Sequence, residues 1–285
     1  MKLGVVHFGS FTMGAIEVIR TLIEENHQNL YTLYGIEWNR HTKGIELKEL
    51  HTESIKQADY KGDSLLMSFP DQYWSNHELE EIAQLDHVIV LGGEEHHQIN
   101  STINMIHVPV SIFNEIPESS YSLGYDSALN TVYSSVEKIR DTASSLIYNK
   151  LRVFPIQVPG EQFTPLVEDA ALAVNAPFVT NDHNEGLTII KKAIEEKNRR
   201  NQSYLFILMD YSVDHKSLEQ VITTEFDVDW KVMSISKSQC VGPFPTALDQ
   251  IYIRKLSTML LDLINKGLEP GRLVIQNHEV IFKKK

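Results

Sequence analysis

The feature that most constrains the fold is Asp-His-Val-Ile-Val-Leu-Gly-Gly at 86–93. Val88, Ile89, Val90 and Leu91 are apolar without alternation, and the run stops at a glycine pair. A strand with one wet face alternates polar and apolar residues; a strand buried on both faces does not. The segment therefore reads as an inner strand of a parallel sheet covered on both sides. KLGVVHFG near the N-terminus, LRVFPIQV (151–158), SYLFILMD (203–210) and WKVMSIS (230–236) have the same character. Pro155, which has no amide hydrogen, argues against a central place for the 151–158 strand.

Amphipathic segments lie between these runs. Residues 13–26 put Ile16, Ile19 and Ile23 on one face, and residues 127–146 put Leu129, Val132, Val136 and Ile139 on one stripe. Asp126 or Ser127 suits the N-cap of the second helix. Residues 187–201 and 247–267 are also amphipathic, with Gly267 a fitting C-cap. Strands alternating with helices predict an α/β protein with helices on both faces of a parallel sheet.

Length and charge narrow the function classes. A chain of 285 residues suits one large domain or two ordinary ones. No run of 18 apolar residues occurs, so no membrane span is expected. The N-terminus turns polar too soon for a secretory signal, and Cys240 is the single cysteine, so no internal disulfide forms. The expectation is a reduced, cytoplasmic protein. A net charge of −12 makes nucleic acid and acidic membranes poor partners, while a local basic pocket for a small phosphorylated ligand stays open. Lys283, Lys284 and Lys285 read as a solvated end.

In an open parallel sheet, ligands gather at the carboxyl ends of the strands, where glycine turns let backbone amides approach phosphate. One such end carries Gly9 and Gly14, crowded by Phe11 and Met13; a structural turn is the competing reading. A second carries Gly92 and Gly93, then Glu94, Glu95 and two histidines. Adjacent residues do not all point at one ion, so a single carboxylate reaching a Mg²⁺-nucleotide suits this stretch better than a zinc site. A third is VPVSIFNEIPESSYSLGYDSALN at 108–130. The fourth, 234–249, carries Lys237, suited to a phosphate or simply solvated, and Cys240, which has no activating neighbours and reads as a structural thiol.

Gly124-Tyr125-Asp126-Ser127-Ala128-Leu129-Asn130 and, without a gap, Arg140-Asp141-Thr142-Ala143-Ser144-Ser145 resemble the bacterial ATP-dependent 6-phosphofructokinase family. KGDSLLMSFP (61–70), LGGEE, GPFPTALD and GRLVIQNHEV (271–280) are similar to further family motifs in the same order. The resemblance implies two Rossmann-like three-layer α/β sandwich domains with parallel sheets. Residues 1–125 with about 240–270 would form the nucleotide side, and 126–239 with about 271–285 the sugar-phosphate side. It further implies Mg-ATP at the first domain, fructose 6-phosphate in the cleft, and a homo-oligomer, dimer or tetramer, or association with an active paralogue.

The working positions depart from the family pattern. The glycine-rich ATP loop is shortened to FGSFTMGA and lacks its Asp. The Mg²⁺-associated Asp falls on Glu94 and the glycine after it on Glu95. The arginine beside the transferring phosphoryl group falls on Pro70, the general-base Asp on Phe113, the second Asp of that motif on Glu115, and a further arginine on Glu161. The sugar side keeps more of its character. Asp210 matches the substrate-binding Glu, Lys231 stands for a phosphate-binding Arg, Lys237 for a His, Arg152 for a neighbouring Arg, and the last Arg falls at or near Cys240. Phosphoryl transfer rests on positioning and positive charge, and a phenylalanine cannot take a proton. The expectation is a phosphofructokinase-like protein, impaired or inactive, binding a phosphorylated metabolite or a partner subunit and holding no cofactor. The alternative is an active 6-phosphofructokinase using Mg-ATP, with Glu94, Glu115, Asp210, Lys231 and Lys237 carrying the work. A purely structural subunit is the third class.

Overall fold

The computed structural model describes residues 1–61, 64–74, 82–93, 103–145, 149–160 and 164–285. The chain divides into two units, Met1–Asp126 with Pro243–Lys285, and Ser127–Gly242. The first stretch of unit 1 contributes β1 (Lys2–His7), α1 (Met13–Glu24), β2 (Thr32–Asn39), β3 (Gly44–Leu50), α2 (Thr52–Lys61), β4 (His87–Leu91) and β5 (Asn104–Val108). The chain leaves along α3 (Tyr125–Ser145). Unit 2 follows as β6 (Leu151–Val158), α4 (Pro165–Val174), β7 (Phe178–Val179), α5 (His183–Arg199), β8 (Tyr204–Asp210), α6 (His215–Glu225), β9 (Val228–Trp230), β10 (Met233–Ser234) and α7 (Lys237–Cys240). The return to unit 1 adds α8 (Ala247–Lys266), β11 (Gly271–Gln276) and β12 (Glu279–Lys284).

The sheet of unit 1 runs β12-β11-β5-β4-β1-β2-β3. Its inner strands are parallel, and β3 and β12 close the two edges as antiparallel partners of β2 and β11. β4 sits between β1 and β5, and its four-residue apolar run is buried throughout. Alternate residues serve opposite faces. Leu3, Val5, Ile89 and Leu91 pack in one cluster with α1 and α8, while Val6, Phe8, Val88 and Val90 pack in another with Ile36, Phe69 and Ile82. Period-two projection from a two-sided strand produces this division.

The closing strands correct the expected domain boundary. Residues 271–285 were expected on the sugar-phosphate side; instead β11 pairs with β5, Gly271 opposite Ile106, within unit 1. Apolar character gives a strand but not its partner.

In unit 2 the order is β10-β6-β8-β7, with β9 also on β6, and every pairing is parallel. β6 is central despite Pro155, which corrects the second strand expectation. The amide of Arg152 donates to Ser203 beside β8, whereas Val153 and Gln157 accept from Lys231 and Ile235 on the other side. The missing amide of Pro155 therefore faces the β9–β10 side. There β9 stops opposite Val153, and β10 resumes opposite Ile156. The proline stands where the ladder is already broken, so it costs no hydrogen bond.

α3 begins one residue before the expected caps, at Tyr125, after Gly124 with φ +103°. Its N-terminus is held from α8: the buried Asp249 carboxylate accepts from the Gly124 amide (2.9 Å) and the Tyr121 hydroxyl (2.8 Å). The Asp126 amide in turn donates to the Tyr121 oxygen (3.2 Å). A side chain at Gly124 would place its Cβ 2.6 Å from Thr12, the N-cap of α1. Further along α3, Arg140 donates to the Val174 carbonyl (2.6 Å) and lies 5.4 Å from the Phe206 ring centre, tying α3 to α4 and β8. No helix among the described residues is long and apolar enough to cross a membrane.

Candidate functional site

Unit 1 gathers the carboxyl ends of β1, β4 and β5. The Phe8 amide donates to Leu91 (2.9 Å), and the Gly92 amide donates to Val108 (3.1 Å). Gly92 has φ +74°, and a Cβ there would lie 2.7 Å from the Val110 carbonyl oxygen and 2.9 Å from that of Phe8. Carbonyls rather than amides converge on this glycine, and its own amide is already spent inside the sheet. Phosphate needs donors, and the Gly92 amide is already engaged. Gly93 has φ +83°. Gly14 is structural too: within the first turn of α1, its absent side chain lets Leu123 approach to 2.8 Å of the Cβ position. Gly9, with φ +76°, has open space beside it, and its carbonyl accepts from Ser68 Oγ (2.7 Å). Glu94, Glu95 and Glu161 lie outside the described residues.

Aromatic side chains pack on one face of the sheet about the end of β1. Phe8, Phe69 and Trp74 meet edge-to-face with ring centres 5.0–5.7 Å apart, and Phe8 and Phe69 are each 1% exposed. The Phe69 amide donates to the His7 carbonyl (2.7 Å), which fixes the 64–74 segment against the end of β1. Pro70, where the resemblance implies an arginine, follows directly and offers neither charge nor amide hydrogen. On the other face of β1, His7 is fully buried, and neither ring nitrogen has a hydrogen-bond partner among the described residues. Burial holds its pKa down to about 4, so the ring is neutral.

The loop after β5 is closed on itself. Ser111 donates its amide to Leu123 (3.1 Å), Leu123 donates to Pro109 (2.8 Å), and Ser122 Oγ donates to the Asn114 side chain (3.2 Å). Asn114 has φ +59°, a conformation asparagine tolerates. Phe113, partly buried, donates its amide to Ser111 Oγ (3.0 Å). That hydroxyl donates to the Glu115 carboxylate at 2.7–2.8 Å. The loop therefore carries an apolar ring at Phe113. Its carboxylate stands two residues further on, exposed and engaged by the serine.

Unit 2 is arranged differently. Asp210 ends β8, 3% exposed, and its Oδ1 accepts from the Ser212 amide (2.8 Å) and the Ser212 hydroxyl. Its Oδ2 makes no hydrogen bond among the described residues. Tyr211 reaches over to donate to the Ile235 carbonyl (2.5 Å) while Ile235 donates to Gln157 (2.9 Å). These two bonds bring the start of α7, and Lys237 with it, to the same sheet end as Asp210. Ser236 caps α7 in a capping box with Gln239.

Two expected members are placed elsewhere. Arg152 lies opposite Tyr204 at the amino end of β6, whereas Asp210 lies opposite Val158 at the carboxyl end. Six residues of strand separate the two levels, roughly 20 Å. Arg152 is 3% exposed and donates to the Ala143 carbonyl near the C-terminus of α3, a helix-end contact that favours a cation. Lys231 is level with the middle of β6, its amide bonded to Val153, and pairs with Asp229 at 2.8 Å. Cys240 is fully buried, and burial pushes its thiol up to about 12, as a structural thiol requires. Sequence reasoning missed Ser212, Tyr211 and Ser111, whose roles depend on hydrogen bonds that no spacing signals. It also missed the aromatic trio, although Phe8, Phe69 and Trp74 flank the positions it singled out. Among the described residues no group of three metal-ligating side chains converges.

The sequence model of the phosphofructokinase family matches residues 2–264. An ATP-dependent 6-phosphofructokinase of Staphylococcus carnosus is 26% identical over the whole of this chain and 94% of its own. One of Brevibacillus brevis is 24% identical over 98% of this chain and 91% of its own. Among solved structures, the phosphofructokinase of Pichia pastoris in the T-state superposes with a TM-score of 0.73 at 14% identity. It covers 99% of this chain, which spans 37% of that longer one. A pyrophosphate-dependent phosphofructokinase of Marinobacter aquaeolei gives 0.71 at 13% identity, over 99% of this chain and 81% of its own. The fold is thus that of the phosphofructokinases. With the family model spanning nearly the full length, the chain belongs to the phosphofructokinase family.

Proposed function

We propose that this chain is a phosphofructokinase-family protein that has given up phosphoryl transfer and keeps the sugar-phosphate half of the site as a binding device. The observation that carries this reading is Phe113. The resemblance puts a general-base carboxylate there, and this chain has an apolar ring whose backbone is pinned to Ser111. Loss of a general base costs about 10²–10⁴ in rate, and loss of an arginine clamp, here Pro70, costs about 10³–10⁵. Multiplied, the two losses amount to about 10⁵–10⁹ in rate. Unit 1 also offers a phosphate little at the residues singled out there: the Gly92 amide is engaged within the sheet, and Pro70 has neither charge nor amide hydrogen.

In unit 2, Asp210 Oδ2 accepts a sugar hydroxyl, and Lys237 supplies charge for the phosphate. Lys231, paired with Asp229, has the lesser part. The protein works as a cytoplasmic, oligomeric sensor of a phosphorylated sugar or as the partner of an active paralogue. A thermal-shift panel of nucleotides and sugar phosphates tests this: sugar phosphates raise the melting temperature, and ATP with Mg²⁺ does not. Stabilisation by Mg-ATP alone would overturn the assignment of halves. The second reading, an active 6-phosphofructokinase, draws on Glu115, a carboxylate held two residues from the base position, and on the activity in the relatives' names. A Glu115→Gln variant separates the two, because it matters only if turnover exists.

A further inference from the structure

A basic slot opens inside the sheet of unit 1 where β11 starts late. β11 first meets β5 at Ile106, so Asn104 and Met105 have no strand partner on that side. β12 ends level with the start of β11, Lys284 opposite Gly271, and the Lys285 amide donates to Pro270 (3.2 Å). The space between holds about 410 Å³, the size of a small-metabolite pocket. Arg272, Lys283, Lys284 and Lys285 line it, Lys284 pairing with Glu269, and Glu118 is the one acidic side chain among the described lining residues. This concentration of positive charge stands on a chain of net charge −12.

Glu118 points to what the slot takes. Its carboxylate lies between Arg272 (3.5 Å) and Lys283 (3.6 Å), half exposed. Charge-assisted contacts normally close to about 2.7–2.9 Å, so the carboxylate is held loosely. It reaches there from a residue with φ +63°, a strained conformation for glutamate. Glycine is required at 271, where a Cβ would come within 2.4 Å of the Lys283 carbonyl oxygen. That glycine lets β12 and its lysines close over Arg272. We propose that the slot is a binding site for a phosphate monoester dianion, whose oxygens replace the Glu118 carboxylate between Arg272 and Lys283, with Lys284 adding charge at the rim. An arginine fork between lysines suits a tetrahedral dianion better than a single carboxylate.

The slot is wired to the loop that carries Phe113. Gln276 Nε2 donates to the Glu118 carbonyl (2.8 Å), the Ser120 amide donates to Ile275 (2.8 Å), and the Ile275 amide donates to Ser119 Oγ (2.9 Å). Displacing Glu118 therefore acts on the 113–120 segment.

The test is a titration of the isotope-labelled full chain with inorganic phosphate, read at the amides of Glu118, Gly271 and Arg272. We expect saturable shifts at these amides, weakened about tenfold or more by R272Q and by K283Q. E118Q, which removes the competing carboxylate, tightens binding about threefold or more. K56Q, an exposed lysine on α2, and D210N in unit 2 leave the shifts unchanged, so failure here is distinct from failure of the proposed sugar-phosphate site. Absence of saturation, or equal weakening by K56Q, would overturn the proposal. So would saturation by citrate without saturation by phosphate. K283Q alters a partly exposed side chain and carries the test alone if R272Q does not fold.

Discussion

The two units treat the carboxyl ends of their sheets in opposite ways. Unit 1 packs apolar mass about the end of β1: Phe8, Phe69 and Trp74 interlock, Gly92 turns its amide inward, and the loop after β5 carries Phe113. Unit 2 keeps its end polar, with Asp210 buried but presenting Oδ2, and Tyr211 drawing Lys237 to the same level. Aromatic packing adds burial and stability but offers a phosphate no donors. A buried carboxylate does the reverse. It costs desolvation and persists where hydrogen bonds from protein or ligand satisfy it. The contrast is therefore read as one end selected for packing and the other for binding.

Breaking the packed end should cost the most. Phe69→Ala removes a fully buried ring from the aromatic trio, and we expect unit 1 to lose about 3–5 kcal/mol of stability by denaturant unfolding. Trp38 and Trp74 fluorescence follows unit 1, and Trp230 follows unit 2. An equal shift of the Trp230 transition would show that the effect is not local.

Acid should act next. His7 has a folded pKa near 4 against about 6.5 unfolded, so the unfolded chain binds the extra proton in between. Stability is present in full above pH 6.5 and is lost as pH falls through about 4, by about 3 kcal/mol in total. His7→Leu should flatten that part of the pH profile. An unchanged profile would show that the imidazole does not titrate across folding.

Removing the carboxylate that holds α3 comes third. Asp249→Ala leaves the Gly124 amide and the Tyr121 hydroxyl without their acceptor, a loss of about 2–3 kcal/mol, measured by thermal melting against the unaltered chain. The smallest effect is at the polar end. Asp210→Asn should leave the melting temperature nearly unchanged without ligand and abolish most of the shift produced by fructose 6-phosphate, a loss of about 1.5–3 kcal/mol of binding. A ligand-induced shift that survives this change would remove Asp210 from the site.

Much of this contrast was legible in the residues. The two-sided strands β1, β4, β6 and β8 declare themselves as unbroken apolar runs, and α3 and α8 as long amphipathic stripes. Phe113 stood out because a motif on both sides fixed its register. β7 and β10, two residues each, carry too little pattern to read. The membership of β11 and β12 in unit 1 depends on pairing across more than 160 residues, which periodicity does not encode. Arg152 sits at the amino end of β6, a position its residue type does not signal. At Gly92 the residue type alone does not separate a close carbonyl approach from a phosphate turn.

The central claim is that the transferring half is gone and the sugar-binding half remains. It is tested most directly by a coupled assay of the purified full chain with Mg-ATP, and separately pyrophosphate, and fructose 6-phosphate, alongside calorimetric titration of the sugar phosphate alone. We expect saturable sugar-phosphate binding with no turnover above the uncatalysed background. Turnover at about 1–100 s⁻¹, the usual range for kinases, would contradict the claim.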